Sequence, residues 1–375
     1  MYDLEFRRGL YEQAKPELYN VPFRTDSFNG MPYRRLGGSG LQASVIGLGT
    51  WKFGYPETGD GARVDEKTAF GILDRAVELG VTFWDTANRY NDAAGNSERV
   101  IGKWIKSQPD QRRNIILATK IFGGMDGVTP NHSGLSRLNI LEATYACLER
   151  LQTDYVDLLY FHFYDAETPI EESLGAMEDL VRQDLVRYFG VSNFTRDQLT
   201  LYQTATQNKL SRCRVVAVQN HYDIIKRESE KFGGKGVLAY AAGQGISFIA
   251  WSPLARGLLT ERYLDLSKVG AGDRLYDEKS LNEDIDDQVM EKLHRLAEVA
   301  HDSNLELNQL ALAYMLRLPG MGPVIPSASN VHHLESNAAA GQVKLSDEQI
   351  RQIRQIVAGQ MTELQDNCAP QGGRP

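Results

Sequence analysis

Four ionisable residues stand at or just beyond the ends of short apolar runs in the first half of the chain. Asp85 follows Phe83-Trp84, and Tyr90 comes five residues later in Asp85-Thr86-Ala87-Asn88-Arg89-Tyr90. Lys120 ends the run that starts at Ile115, and His162 ends Leu158-Leu159-Tyr160-Phe161. These types make a coherent chemical set. A phenol, with an ordinary pKa of about 10, is a poor acid at neutral pH. A neighbouring ammonium favours phenolate and lowers that pKa, and a carboxylate beside the lysine keeps it charged and oriented. An imidazole can hydrogen-bond a carbonyl oxygen and position it. Together such groups polarise and protonate a C=O while something else delivers hydride. Each alone has a plainer reading: a solvated loop Asp or Lys, or a His or Tyr hydrogen-bonded in packing. Four at successive run ends are much harder to explain that way.

The elements that must position them follow a rhythm from Pro32 to about residue 358: short β-rich run, loop, amphipathic helix. The strands are predicted at Ser44–Leu48, Thr82–Trp84, Ile115–Ala118, Tyr155–Phe161, Val186–Phe189, Val215–Gln219, Ser247–Ala250 and Pro323–Ile325. Most are apolar and unalternating, as strands covered on both faces should be. In Ser136–Leu151 the set Leu138, Leu141, Tyr145, Leu148 predicts one buried stripe, and in Asp286–Ala300 the set is Val289, Leu293, Leu296, Ala300. A last helix starts at Ser346, with Gln349 completing a capping box and Ile350, Ile353 and Val357 as its stripe. Eight strands alternating with helices predict a (β/α)₈ TIM barrel, class α/β. A doubly wound open sheet has the same local rhythm and stays open on periodicity alone. The longer connections Ile121–Leu135 and Leu254–Asp286 each follow a strand, which in a barrel puts these long loops at the C-terminal face.

Composition bounds the function. Over 375 residues, 41 Lys+Arg and 49 Asp+Glu give a net charge of −8, which argues against nucleic acid as the main partner. The cysteines Cys147, Cys213 and Cys368 are too scattered for a disulfide scaffold, and no Cys/His spacing suits zinc, so no metal is expected. A reducing, cytoplasmic location fits this usage. The N-terminus lacks an apolar signal core and no window is long and apolar enough for a membrane span. Residues 1–31 read as an N-terminal extension, 32–358 as the catalytic domain and 359–375 as a C-terminal tail. Two motifs mislead. Gly38-Ser39-Gly40-Leu41-Gln42-Ala43 matches a relaxed dinucleotide pattern but precedes a strand, where that fingerprint needs a helix; a hairpin turn between Tyr33–Leu36 and Ser44–Leu48 fits better. Tyr11 and Lys15 have a reductase-like spacing but precede every strand.

Several motifs, in order, give the chain a family resemblance from about Pro32 to Ala340. They are Tyr33-Arg34-Arg35-Leu36-Gly37 with Gly47-Leu48-Gly49-Thr50-Trp51, then Asp85-Thr86-Ala87 with Tyr90 and Gly95-Asn96-Ser97-Glu98. Gly134-Leu135-Ser136-Arg137, Asp154-Tyr155-Val156-Asp157-Leu158 through His162, Gly190-Val191-Ser192-Asn193-Phe194 and Trp251-Ser252-Pro253-Leu254 complete the set. The chain resembles the aldo-keto reductase superfamily, in the branch of aryl-alcohol dehydrogenases and potassium-channel β-subunit-like members. The resemblance implies a (β/α)₈ barrel that reduces a small-molecule aldehyde or ketone, reversibly, with a nicotinamide cofactor. It implies Tyr90 as general acid, Lys120 and Asp85 as its tuners, and His162 as the residue orienting the carbonyl.

It also implies a cofactor site. Thr50 and Trp51 belong to the opening motif. Ser192, Asn193 and Gln219 are expected on the nicotinamide carboxamide, with Trp251 stacked on its ring. Ser252, Leu254 and Arg256 are expected near the pyrophosphate, with Arg262 and Arg274 in reach of phosphates. Ser329, His333 and Asn337 are expected at the adenosine end. The family usually has Gln or Arg where this chain has His333, and Glu where it has Ser336. The donors at Ser329, His333 and the loop arginines favour NADPH over NADH. Trp51, Phe122, Phe163 and Tyr222 follow strand ends and are expected to line an apolar substrate pocket. A regulatory or scaffold subunit that binds cofactor with slow or no turnover is the alternative. A homo-oligomer is compatible with the sequence.

Overall fold

The computed structural model describes residues 25–91, 95–207 and 213–358. Eight parallel strands form the centre: β1 Gly47–Gly49, β2 Phe83–Asp85, β3 Ile116–Ile121, β4 Val156–Phe161, β5 Val186–Ser192, β6 Val215–Asp223, β7 Ser247–Trp251 and β8 Met321–Ile325. Each pairs in parallel with the next, from Gly47↔Phe83 round to Trp251↔Ile325. Parallel bridges Ile46↔Val324 and Gly49↔Ser327 join the first strand to the last. The sheet is therefore a nearly closed (β/α)₈ barrel, and the open-sheet alternative falls away.

An outer layer of helices covers the strands: α1 Glu66–Glu78, α2 Asn96–Ser107, α3 Arg137–Leu151, α4 Ile170–Arg182, α5 Arg196–Gln207, α6 Val237–Gln244, α7 Asp287–His301, α8 Leu307–Met315, α9 Val331–Ala339 and α10 Asp347–Ala358. Side chains at their N-termini satisfy orphan N–H groups: Asp65 Oδ1 accepts from Thr68 N at 2.8 Å, and Asp286 Oδ1 from Val289 N at 2.8 Å. The capping box before α10 is present in both directions, Ser346 N donating to Gln349 Oε1 at 2.7 Å and Gln349 N to Ser346 Oγ at 3.2 Å.

The stripe predicted for α3 is rotated. Leu138 and Tyr145 are 45% and 47% exposed, whereas Ile140, Ala143, Thr144, Cys147, Leu148 and Leu151 are buried. That set steps i, i+3, i+4, i+7, i+8, i+11, a true helical face, but it includes a threonine and a cysteine that a search for large apolar residues passes over.

Several strands also run further than their apolar cores. β3 continues to Ile121, β5 to Ser192 and β6 to Asp223. Each extension breaks the apolar run with polar residues, Lys120, Ser192 and Asn220 among them, so hydrophobic patterning stops short of it.

The first predicted strand is two pieces. Gln42–Ser44 pairs antiparallel with Met31–Arg35, Tyr33 opposite Ser44, while β1 begins at Gly47. The glycine-rich stretch is the hairpin turn, and it closes the N-terminal end of the barrel. Gly37 N donates to Ser247 Oγ and Gly38 N to Gly245 O, both at 2.7 Å. Gly37 has φ +57°, and a Cβ there would lie 2.5 Å from Val216 O and 2.7 Å from Gly245 O, so no larger residue fits. Ser27–Phe28 adds a third strand against Met31 and Pro32, so the expected boundary at residue 31 falls inside this small sheet. Tyr11 and Lys15, with most of the predicted extension, and the tail 359–375 lie outside the described residues.

Leu36 and Ala43 of the hairpin pack with Phe83, Ala118, Leu158, Tyr160, Ala217, Ile249 and Ile325 in one buried cluster, the lower filling of the barrel. Side chains alternate along a strand. The next inward positions on β2, β3, β6 and β7 are therefore Asp85, Lys120, Gln219 and Trp251, and His162 follows β4 with the same parity.

Candidate active site

Strand parity brings the four sequence-predicted ionisable residues to the C-terminal face together. Lys120 is 1% exposed and uses all three of its N–H donors. Nζ donates to Asp85 Oδ2 at 2.5 Å, to Thr86 O at 2.9 Å and to Tyr90 Oη at 2.7 Å. Tyr90 Oη lies 3.3 Å from Asp85 Oδ2, to which it donates. The Tyr90 and His162 rings meet edge to face at 6.3 Å.

Burial, followed by the Asp85 carboxylate, pushes the Tyr90 phenol well above its ordinary pKa. The sequence expectation is a lowered value; in this arrangement burial and the carboxylate set the direction. Burial lowers the Lys120 ammonium, opposed by Asp85 and then Glu98. His162 is pushed down to about 3 by burial and then by the charge of Lys120, so it is a neutral imidazole at physiological pH. The site thus gathers a protonated phenol, a paired ammonium and a neutral imidazole.

Gln219 is buried and donates through Nε2 to Asp85 Oδ1 at 2.6 Å, a partnership not anticipated in the sequence. Ser192 Oγ donates to Gln219 O at 2.9 Å. Asn193, with φ +58°, donates through Nδ2 to His162 O at 3.0 Å and accepts from Trp251 Nε1 at 3.2 Å. Trp251 meets His221 and Phe232 edge to face at 4.8 and 5.1 Å. Thr50 is buried at the end of β1; its Oγ1 donates to Asp85 O at 2.9 Å and contacts Ser97 Oγ at 2.8 Å, so its hydroxyl braces β2.

After β7 the backbone turns sharply, with left-handed φ at Ser252, Ala255, Arg256 and Gly257 (56°, 48°, 61° and 106°). Strain of this kind is held by surrounding structure and concentrates at functional loops. Leu254 packs partly buried against the core there. The loop arginines are all engaged with acids. Arg256 bonds Asp284 at 2.6 Å and also pairs with Glu278, Arg262 forms a two-pronged contact with Asp273 at 2.7 Å, and Arg274 bonds Glu278 at 3.0 Å. Arg274 also stacks over Trp51, its guanidinium 4.6 Å from the ring centroid. Arg63 donates to Gly272 O at 2.9 Å and pairs with Asp277. The 254–286 connection is therefore a strap docked on the loop after β1.

At the far end, Ser329 Oγ contacts His333 Nδ1 at 2.9 Å, and Asn337 accepts from Asn308 Nδ2 at 2.9 Å. Ser336, where the resemblance led us to expect Glu, hydrogen-bonds the carboxylate of Glu306. Of the expected pocket residues, Phe122 and Phe163 meet edge to face at 5.6 Å and Phe163 stacks on His162 at 4.9 Å. Trp51 is 38% exposed at the mouth. Tyr222 is misplaced by the sequence reading: it has the opposite parity to Gln219, is 3% exposed and packs on Phe248 beneath the helices. Among the described residues no group of His, Cys, Asp and Glu is arranged to hold a metal. No helix among them is long and apolar enough to cross a membrane.

An eight-stranded barrel whose C-terminal face gathers Tyr, Lys, Asp and His defines a class, the barrel oxidoreductases that act on carbonyls. Comparison with known proteins places the chain within it: it belongs to the aldo/keto reductase family, whose sequence profile matches residues 45–358. A probable voltage-gated potassium channel subunit beta of Arabidopsis thaliana is 34% identical over 84% of this chain and 92% of its own length. An aldo-keto reductase of Alternaria alternata, AFTS1, is 31% identical over 88% of this chain and 92% of its own. Versiconal hemiacetal acetate reductase of Aspergillus parasiticus is 31% identical over 87% and 96%. The family uses nicotinamide cofactors and acts on small-molecule carbonyls.

Proposed function

We propose that the chain reduces an aldehyde or ketone with NADPH, reversibly, Tyr90 serving as general acid. The observation that carries this reading is the contact of Lys120 Nζ with both Tyr90 Oη and Asp85. The residues around the mouth suit the cofactor: strained backbone after β7, the Trp251–Asn193 pair, and arginines held in place by acids. Bound there, the nicotinamide supplies hydride. A carbonyl oxygen at the mouth meets the phenol proton, which the high pKa keeps in place at neutral pH. As that proton leaves, charge grows on Tyr90 Oη, where the Lys120 ammonium already stands at 2.7 Å. Asp85, fixed by Gln219, keeps the ammonium aimed. Neutral His162 donates to the carbonyl without adding charge that would oppose Lys120. Ser329 and His333 would contact the adenosine 2′-phosphate, with Asn337 at the adenine end and Ser192 and Asn193 toward the carboxamide.

A second reading, a cofactor-binding regulatory subunit, is favoured by the channel-subunit name among its relatives, the Arabidopsis thaliana protein being one. The experiment compares wild type with Tyr90→Phe, following NADPH oxidation across aldehydes and ketones and NADPH binding by fluorescence. Turnover that falls by about a hundredfold or more with binding retained is the expected result. Tight binding without turnover in either protein would favour the regulatory reading. Equal turnover in both would exclude Tyr90 as the proton donor.

A further inference from the structure

On the outer side of β3 lies a charge cluster that the proposed reaction does not use. Glu98 of α2 is fully buried. Its Oε1 accepts from Thr119 Oγ1 at 2.6 Å and its Oε2 from Arg150 Nε at 2.7 Å. Arg150 of α3, whose side chain is 4% exposed, also donates to Cys147 Sγ at 3.5 Å and to Asp126 Oδ1 at 2.7 Å. Gly95 shapes the slot for its side chain, and Gly102 lets α2 approach its backbone. A Cβ at Gly95 would lie 2.6 Å from Arg150 Cδ and 2.7 Å from Met125 Cε, and one at Gly102 would lie 2.1 Å from Arg150 O.

Glu98, Arg150 and Thr119 belong to the framework, but Asp126 does not. It sits in the connection after β3, in left-handed conformation at φ +62°, with its side chain 30% exposed. That connection is a loop whose ends meet, Gly134 N donating to Phe122 O at 2.8 Å. Leu135 N beyond it is fixed by Asp165 Oδ2 at 2.7 Å. On the site side, Arg89, next to Tyr90, donates to Gly124 O at 2.6 Å. Phe122 at the loop's root touches Phe163, which stacks on His162. The loop therefore spans from a buried arginine to the aromatic wall of the mouth.

We propose that Asp126 and Arg150 form a latch that holds the loop after β3 inward, and that Asp126 is thereby a positioning residue which narrows the pocket toward short carbonyl substrates. This rests on the reading that the mouth accepts a carbonyl compound. Arg150 is the fixed half because removing it would leave Glu98 buried and unpaired. Asp126 is the releasable half, since its loss leaves the Glu98–Arg150 pair intact. With the latch open, Phe122 and Phe163 can separate and a bulky aryl group gains room.

The test uses the full chain with Asp126→Ala and Asp126→Glu. Hydrogen exchange of 122–135 is measured together with steady-state kinetics on propanal and 2-naphthaldehyde, and with the melting temperature. For Asp126→Ala, exchange in the loop should rise about tenfold. The ratio of kcat/KM for naphthaldehyde over propanal should rise about fivefold. Asp126→Glu, which keeps a carboxylate in reach of Arg150, should return both toward wild type. An equal change on both aldehydes, or loop exchange unchanged in the alanine variant, overturns the latch. If wild type reduces neither aldehyde nor any other carbonyl, the carbonyl reading fails on its own, and loop exchange alone then supports or overturns the latch.

Discussion

Gln219 reaches across the barrel from β6 to β2, its Nε2 on Asp85 Oδ1 at 2.6 Å, while Lys120 holds the other oxygen of the same carboxylate at 2.5 Å. The carboxylate is thus fixed from two sides before it fixes anything else. Gln219→Leu removes one side and leaves a buried oxygen without its donor. A hydrogen bond to a charged group contributes about 1.5–3 kcal/mol, so kcat should fall roughly tenfold to a hundredfold. If the glutamine acts mainly through Asp85, NADPH affinity changes little; if it acts mainly on the carboxamide, affinity falls instead. Fluorescence titration beside kinetics separates the two.

His162 is held near a pKa of about 3 by burial and by Lys120. Its folded value lies below its unfolded one, so between about 6.5 and 3 the unfolded chain binds the extra proton. This residue therefore subtracts stability progressively as pH falls through that window and costs nothing above it. Nitrogen-edited NMR should show a neutral His162 ring at pH 5. A ring that protonates near pH 6.5 would remove the argument that it donates to the carbonyl as a neutral group.

Asp223 shows the opposite sign. It is 0% exposed, and burial raises its carboxyl to about 6, although its Oδ1 accepts from the N–H groups of Ile225 and Lys226 at 2.8 and 2.7 Å. Between about 4 and 6 the native chain binds the extra proton, so this group's contribution is lost as pH rises through that range. Asp223→Asn keeps an acceptor for both N–H groups and removes the charge. Its stability relative to wild type in urea should improve on going from pH 4 to pH 8, by up to about 3 kcal/mol for a shift of this size. An unchanged difference would mean that Asp223 does not titrate in that interval.

The sequence exposed the parts of this protein that repeat and concealed those that depend on contact. Strand count and order were readable because strands covered on both faces are largely apolar, as Met321–Ile325 is throughout. The positions of Asp85, Lys120 and His162 were readable because each stands at the end of an apolar run and a barrel gathers those ends on one face. Tyr222 departs from the expectation because its strand runs on to Asp223 and turns that side chain to the outer face. The exposed Leu138 and Tyr145 were misread because the buried face of α3 includes Thr144 and Cys147. The Glu98–Arg150–Asp126 cluster left no usable trace, since its members stand far apart in sequence and charged residues are ordinarily solvated. The pairing of the loop arginines with acids was equally hidden: a guanidinium in a loop looks the same in sequence whether it faces a phosphate or Asp273.

Leu36 and its hairpin cork the lower end of the barrel, and the 254–286 strap crosses beside the upper one. With packed side chains filling the barrel between them, the described residues leave the hairpin end no part in the chemistry. A substitution at Gly37, at the opposite end from Tyr90 and Lys120, should therefore be felt in folding rather than in turnover.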